Sequence, residues 1–196
     1  MEADSGWLKD HIRDIPDFPH PGVVFKDITP LLADARALRH CIDCLADAFS
    51  DRQVDKVLGI EARGFIIAAP VAVRLGAGFV PVRKAGKLPS RVCSETYVLE
   101  YGTDALEVHL DALQAGERAL VIDDVLATGG TASAAARLVR RLGADVVGLG
   151  CVIELGFLGG REKLHGMHTV SLLNYPGVSR QLDWRVSPGT SSTDNG

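Results

Sequence analysis

The sequence predicts an α/β fold with a mainly parallel central sheet flanked by helices, and three observations carry that prediction. Apolar runs that read as buried strands alternate with segments whose apolar residues recur at helical spacing. Such alternation implies parallel pairing through right-handed crossovers. One stretch, Ala119 to Thr131 (ALVIDDVLATGGT), passes from an apolar strand through two acids and paired glycines into a helix. The length of 196 residues, 46% of them apolar, suits one well-buried domain with a small appendage rather than two full domains.

Ser5 to Ile15 places Trp7, Leu8, His11, Ile12 and Ile15 on one helical face with Ser5 as N-cap, and so predicts a short amphipathic helix ended by Pro16. His11 reads as a packing or edge residue, because no other ligand type is spaced to join it. Asp17 to Pro30 (DFPHPGVVFKDITP) is too rich in proline for regular helix, yet its cluster of Val23, Val24, Phe25 and Ile28 argues for a structured loop. Such loops often serve a site, or merely pack on the core. Asp34 to Phe49 carries Leu38, Cys41, Ile42, Leu45 and Phe49 at helical spacing behind a capping Asp34. Val54 to Ile60 then reads as a buried strand and Gly64 to Leu75 as a helix, joined by EARGF.

Glu61 and Arg63 in that joint stand at a strand's C-terminal end, where open α/β sheets bind ligands, although a surface ion pair would look the same. Gly78 to Val82 is the next strand and delivers Arg83, Lys84 and Lys87. Three cations this close form either a solvated loop or a clamp for a polyanion. Val92 to Leu99 and Ala105 to Leu110 alternate as a hairpin flap around Tyr101 and Gly102, with Glu100 and Tyr101 at its tip. Beyond the central motif, Asp145 to Glu154 reads as a doubly buried strand, Phe157 to Leu164 as a turn and short helix, and His168 to Leu173 as the last strand. Ser187 to Gly196 has the composition of a disordered tail.

A formal net charge of −4 argues against nucleic-acid binding by general electrostatic attraction and points to small-molecule partners. Cys41, Cys44, Cys93 and Cys151 are scattered and read as reduced thiols in a reducing compartment. No segment resembles a signal peptide or a membrane span, so a cytoplasmic protein without membrane contact is expected.

The chemistry of the central motif follows from its local structure. The first N–H groups of a helix lack partners and carry the positive end of its dipole, so they bind anions. Gly129 and Gly130 let the backbone approach an anion, and the hydroxyls of Thr128 and Thr131 add donors. Asp123 and Asp124 would repel a phosphate. They fit if they bind sugar hydroxyls, or a Mg²⁺ that a pyrophosphate carries, since magnesium shares its oxygen ligands between carboxylates and substrate phosphates. A ribose phosphate is the ligand expected. Strand, turn and helix alone also describe an ordinary βα junction.

The full string lacks the Lys of GxxxxGK[ST] and the spacing of GxGxxG. It resembles the phosphoribosyl pyrophosphate (PRPP) motif of type I phosphoribosyltransferases. From about Ile12 to Leu173 the chain is similar to the adenine phosphoribosyltransferase family through DFPHPGVVFKDITPLL, EARGF, RKAGKLP, TYVLEYG and GREKL.

This resemblance implies the type I phosphoribosyltransferase fold, with an N-terminal hood over residues 1–33, a core over 34–186 carrying a flexible flap at 84–110, and a disordered tail over 187–196. It implies a purine salvage enzyme that joins adenine to PRPP, giving AMP and pyrophosphate with substrate-bound Mg²⁺, and a homodimer. By the same resemblance Ala127, Thr128, Gly129, Gly130 and Thr131 hold the 5′-phosphate, and Asp123 and Asp124 face the ribose hydroxyls or the metal. Arg63, Lys84 and Lys87 hold pyrophosphate. Adenine lies between Phe25 and Leu158, with the backbone of Val24 and Lys26 reading its edge. Glu100 is the proton-transfer group, and Tyr101 orders the closed flap. The resemblance further makes Glu100, Arg63 and Asp124 the catalytic set.

Two departures stand out: Lys26 replaces a frequent Arg, and Gly159 replaces a frequent Lys before Gly160. The alternatives are a phosphoribosyltransferase acting on a 6-oxopurine, for which the hood is the discriminating feature, and a PRPP-sensing regulator. The latter would be expected to carry an added nucleic-acid-binding domain.

Overall fold

The computed structural model describes residues 5–98 and 103–177. The hairpin tip with Glu100 and Tyr101, and the tail at 187–196, lie outside the described residues.

The chain starts with a 3-10 helix, Gly6–His11, followed by strand β1, Arg13–Pro16, and strand β2, Val24–Asp27. This corrects the amphipathic helix expected from Ser5 to Ile15. Trp7, Leu8 and His11 do turn helically, and the Trp7 and His11 rings meet edge-on at 5.4 Å. Ile15 instead pairs with Phe25 in an antiparallel two-stranded sheet. The physical reason is tertiary: β2 offers a strand partner, which outweighs a weak local helical pattern. Five-residue helix α1, Thr29–Ala33, admits Pro30 because a first-turn proline loses no hydrogen bond. Helix α2, Ala35–Asp47, is capped as expected, with the Asp34 carboxylate accepting from the amides of Arg36 and Ala37.

The main sheet has seven strands in the order β5-β6-β4-β3-β7-β8-β9. These are β3, Lys56–Ile60; β4, Gly78–Lys84; β5, Val92–Val98; β6, Thr103–His109; β7, Arg118–Leu126; β8, Asp145–Leu155; and β9, Thr169–Tyr175. β4, β3, β7, β8 and β9 run parallel, and the β5–β6 hairpin joins antiparallel at one edge. Helix α3, Gly64–Leu75, and helix α4, Gly130–Arg141, cross over between parallel strands.

Alternation along β7 divides the core between the two faces. Leu120 and Ile122 pack with Leu45 and Phe49 and with Ile67 of α3. Ala119 and Val121 pack with Ala135, Leu138 and Val139 of α4. β8 is buried on both faces, as its continuous apolar run implies. Two 3-10 turns, Gly156–Leu158 and Gly160–Leu164, lead from β8 to β9.

Candidate active site

The C-terminal ends of three neighbouring parallel strands supply the site, as open α/β sheets do. β4 delivers Arg83 and Lys84, β3 runs into Glu61, Ala62 and Arg63, and β7 carries Asp123 and Asp124. The two-stranded sheet brings Phe25 over these ends. The result is a cavity of about 400 Å³ lined by Val24, Phe25, Lys26, Arg63, Lys84, Asp123, Asp124, Ala127 and Thr131, with Tyr97, Leu106 and Leu155 closing its sides. The structure thus brings together residues that the sequence spreads from Val23 to Leu155. Lys87 and Leu158 are not among its lining residues, and neither are Thr128, Gly129 and Gly130, which continue the loop behind Ala127. Leu158 sits on the exposed turn after β8, 42% accessible.

Each cation near the cavity already has an anionic partner. Arg63 Nη2 lies 2.8 Å from Asp124 Oδ2, and its guanidinium stacks 4.9 Å from the Phe25 ring centre. Lys84 Nζ reaches Asp104 Oδ2 at 3.1 Å, and the Tyr97 hydroxyl donates to the same oxygen at 3.3 Å. Lys87 binds Glu61, which also accepts from Arg83 Nε and the Lys84 amide, each at 2.9 Å. The EARGF segment therefore forms no internal ion pair: Glu61 binds cations delivered by β4, and Arg63 turns to the acids of β7. Its Glu61–Ala62 peptide is cis. Burial pushes the Glu61 carboxyl up, but hydrogen bonds from Lys87, Lys84 and Arg83 outweigh it and hold the group down at about 2.

The paired acids behave differently. Burial first, and then the neighbouring Asp124 charge, raise the Asp123 carboxyl well above its usual range. Asp123 Oδ1 accepts the Asp124 amide at 2.9 Å, while Asp124 Oδ2 is buried and receives no hydrogen bond despite facing Arg63. A buried carboxylate oxygen ion-paired to Arg63, beside an acid whose charge is disfavoured, suits a hydroxyl donor or a hard cation. Among the described residues no cluster of three or more His, Cys, Asp or Glu is assembled to hold a metal. An ion at Asp123 or Asp124 must therefore draw its other oxygens from substrate or water.

Past β7 the chain turns at Gly129, with φ at +74°, into the N-terminus of α4. No side chain caps that end. The first N–H groups after Gly129 therefore have no side-chain cap, the local geometry that the motif predicts.

On the hood side, the Lys26 side chain points away from a base-reading role. Its ammonium lies 2.6 Å from Asp14 Oδ1 and 4.4 Å from the Tyr175 ring centre. The departure from Arg at this position is absorbed there. Sequence reasoning missed Tyr97 and Asp104. Their signal was the hairpin register, which sets them directly opposite each other. Glu61 was noticed, but its hub of cations was not foreseen.

Known proteins share this architecture and its sequence. The phosphoribosyl transferase domain profile matches residues 28–184. The chain is 62% identical over 165 residues to an adenine phosphoribosyltransferase of Thermobifida fusca, spanning 84% of this chain and 94% of that protein. It is 59% identical over 172 residues to one from Acidothermus cellulolyticus, spanning 87% and 97%. The crystal structure of the enzyme from Thermoanaerobacter pseudethanolicus superposes with a TM-score of 0.85 at 51% identity, covering 87% of this chain and 99% of that one. The Saccharomyces cerevisiae enzyme, solved with adenine and an iminoalditol bisphosphate, superposes with a TM-score of 0.81 at 40% identity, covering 86% and 98%. With the profile spanning most of the chain and relatives this close over nearly their whole length, the chain belongs to the phosphoribosyl transferase family, among the adenine phosphoribosyltransferases.

Proposed function

We propose that the cavity binds PRPP and adenine side by side and transfers the phosphoribosyl group to adenine, releasing AMP and pyrophosphate. The observation that carries this reading is the convergence, in one cavity, of an aromatic hood, a cation set, paired acids and a helix N-terminus. In this assignment the 5′-phosphate takes the loop Ala127 to Thr131, and the ribose hydroxyls face Asp123 and Asp124. Pyrophosphate takes Arg63, Lys84 and Lys87. Adenine lies on Phe25, with Leu158 approaching its other face from the turn after β8. Val24 and Lys26 stand two apart on β2, so their backbone groups address the same edge of the base.

The chemistry asks for charge placement rather than a nucleophilic side chain. As the purine nitrogen attacks C1′, the bond to pyrophosphate breaks with its electron pair, and the purine proton must leave. Arg63, Lys84 and Lys87 would stabilise the growing pyrophosphate charge, and Asp124 the cationic sugar. A magnesium ion arriving with PRPP would neutralise part of the pyrophosphate charge. Glu100 is the proposed proton acceptor at the purine. The cations' present partnerships do not obstruct this. The Arg63, Lys84 and Lys87 side chains are 38%, 53% and 48% exposed although their acid partners are more deeply buried, so their cationic groups stay open to a multiply charged pyrophosphate without having to leave those partners.

A homodimer is part of this reading. It is supported by the outward apolar face of α3 and β4, where Ile66, Val73 and Phe79 are 47%, 82% and 38% exposed. A cytoplasmic location is supported by four free thiols. Among the described residues no helix is long and apolar enough to cross a membrane.

Kinetics of two variants test the assignment. Lys84→Met should raise KM for PRPP with little effect on KM for adenine, and Phe25→Ala should do the reverse. Both variants affecting the same substrate would overturn the division of the cavity.

A further inference from the structure

Two glycines from distant parts of the chain interlock behind the cavity. A methyl group on Gly129 would collide with the Gly160 carbonyl, and would lie 3.0 Å from that carbonyl carbon and 3.1 Å from the Gly160 Cα. A methyl group on Gly160 would collide with the Ala127 carbonyl and lie 2.8 Å from the Gly129 nitrogen. The phosphate loop thus rests backbone to backbone on the 3-10 turn Gly160–Leu164. That turn follows directly on the one carrying Leu158: Gly159 N–H donates to the Gly156 carbonyl at 3.1 Å, and Glu162 N–H to the Gly159 carbonyl at 3.0 Å.

Arg161 fastens this double turn to the sheet. Its Nε donates to Glu154 Oε1 at 2.8 Å and its Nη2 to Glu154 Oε2, a two-pronged fork. Nη1 donates to the Thr169 carbonyl at 2.8 Å and Nη2 also to Ser171 Oγ at 3.3 Å, while that hydroxyl donates to Glu154 Oε2 at 2.7 Å. Glu154 is 4% exposed at the end of β8, and at the far end of the turn Leu164 is buried in the α4-side core. The hydrogen bond from Arg161 holds the Glu154 carboxyl below its usual range despite burial. A fork this well placed on a buried partner fixes orientation, which an exposed pair does not.

We propose that Arg161 is a positioning residue: through Glu154 it presses Gly160 against Gly129, so that one ion pair sets both the loop that takes the 5′-phosphate and the turn that brings Leu158 to the base. The inference rests on the substrate placement given above. Arg161 touches neither substrate in that placement, yet it governs both sites. Gly160 transmits the constraint because its missing side chain allows the backbones to meet.

Steady-state kinetics with adenine and PRPP test it. Arg161→Met should raise both KM values together, each by at least about fivefold, since displacement of a supporting element by an ångström costs on the order of a hundredfold in well-oriented sites. Arg161→Lys, which keeps the charge and loses the fork, should fall between. Should Arg161→Met not fold, Ser171→Ala removes one arm of the network and should raise both KM values by a smaller factor. A purely structural residue would lower Tm while leaving both KM values of the folded enzyme unchanged. That result, or a rise in only one KM, overturns the proposal. Leu158→Ala separates the two readings. If it leaves KM for adenine unchanged, the substrate placement itself fails, and the inference fails with it. If it raises that KM while the Arg161 variants change neither, the inference alone fails.

Discussion

Replacing Asp124 with Ala separates a functional acid from a structural one. The carboxylate is almost fully buried, 8% exposed, with Arg63 at 2.8 Å and Asp123 adjacent in sequence. Its two electrostatic neighbours oppose each other. At a charge separation of about 4 Å and an effective dielectric near 20, each unit interaction is about 4 kcal/mol in magnitude. The attraction to Arg63 is reduced because that side chain is 38% exposed. The Asp123 carboxyl is raised by burial first and by repulsion from Asp124 second. Removing Asp124 therefore loses an attraction and relieves a repulsion, and the two changes offset each other.

The expected net change in stability is within about 1 kcal/mol, a Tm shift of roughly 2 to 4 °C for a chain of this length. Activity should respond quite differently. Loss of one preorganised electrostatic group at the reacting centre costs about 2.7 to 4 kcal/mol, a fall of roughly a hundred- to a thousandfold in turnover. Parallel thermal unfolding and AMP-formation assays measure the two effects. A variant with near wild-type activity would remove Asp124 from the site, and a large fall in Tm that accounts for the lost activity would make it a structural residue.

Two further outcomes follow from the ion pairs. The Glu61 carboxyl sits at about 2 against an ordinary 4.5, so its contribution is fully present above about pH 4.5 and is lost as pH falls toward about 2. At 1.36 kcal/mol per unit that is at most about 3 kcal/mol, and nearer 2 after screening at the half-exposed Lys87. Glu61→Gln should flatten the acid limb of the stability curve measured by chemical unfolding, and an unaltered limb would mean that the cluster contributes nothing. Lys26→Met should change KM for adenine by less than about fivefold, because the ammonium is engaged by Asp14 and Tyr175 and such a pair is worth up to about 1 kcal/mol. A much larger change would mean that this side chain reads the base.

The core elements were legible because their signals are local and redundant. Gly64 to Leu75 begins and ends as expected, since Gly76 in the left-handed region closes what its apolar content opens. Asp34 announces α2 by capping chemistry alone. Ser5 to Ile15 misled because apolar spacing there is compatible with a helix, and only pairing to β2 converts Ile15 to a strand residue. Within the site, residue types at strand ends were readable, but pairings were not. Arg63 chooses Asp124, about sixty positions away, over its near neighbour Glu61, and Lys84 chooses Asp104 across the hairpin edge. Those choices depend on strand order, which places β3 between β4 and β7 and is not encoded in any single segment.

Base preference tests the central claim most directly. With Mg²⁺ and PRPP, the purified protein should convert adenine to AMP far faster than it converts hypoxanthine, guanine or xanthine to their nucleotides. In the proposed placement the backbone groups of Val24 and Lys26 pair with a 6-amino purine and would be left unpaired or opposed by a 6-oxo group, a mismatch that costs orders of magnitude in kcat/KM when the polar groups are buried. Equal or better turnover of any oxopurine would contradict the assignment of the hood as an adenine reader.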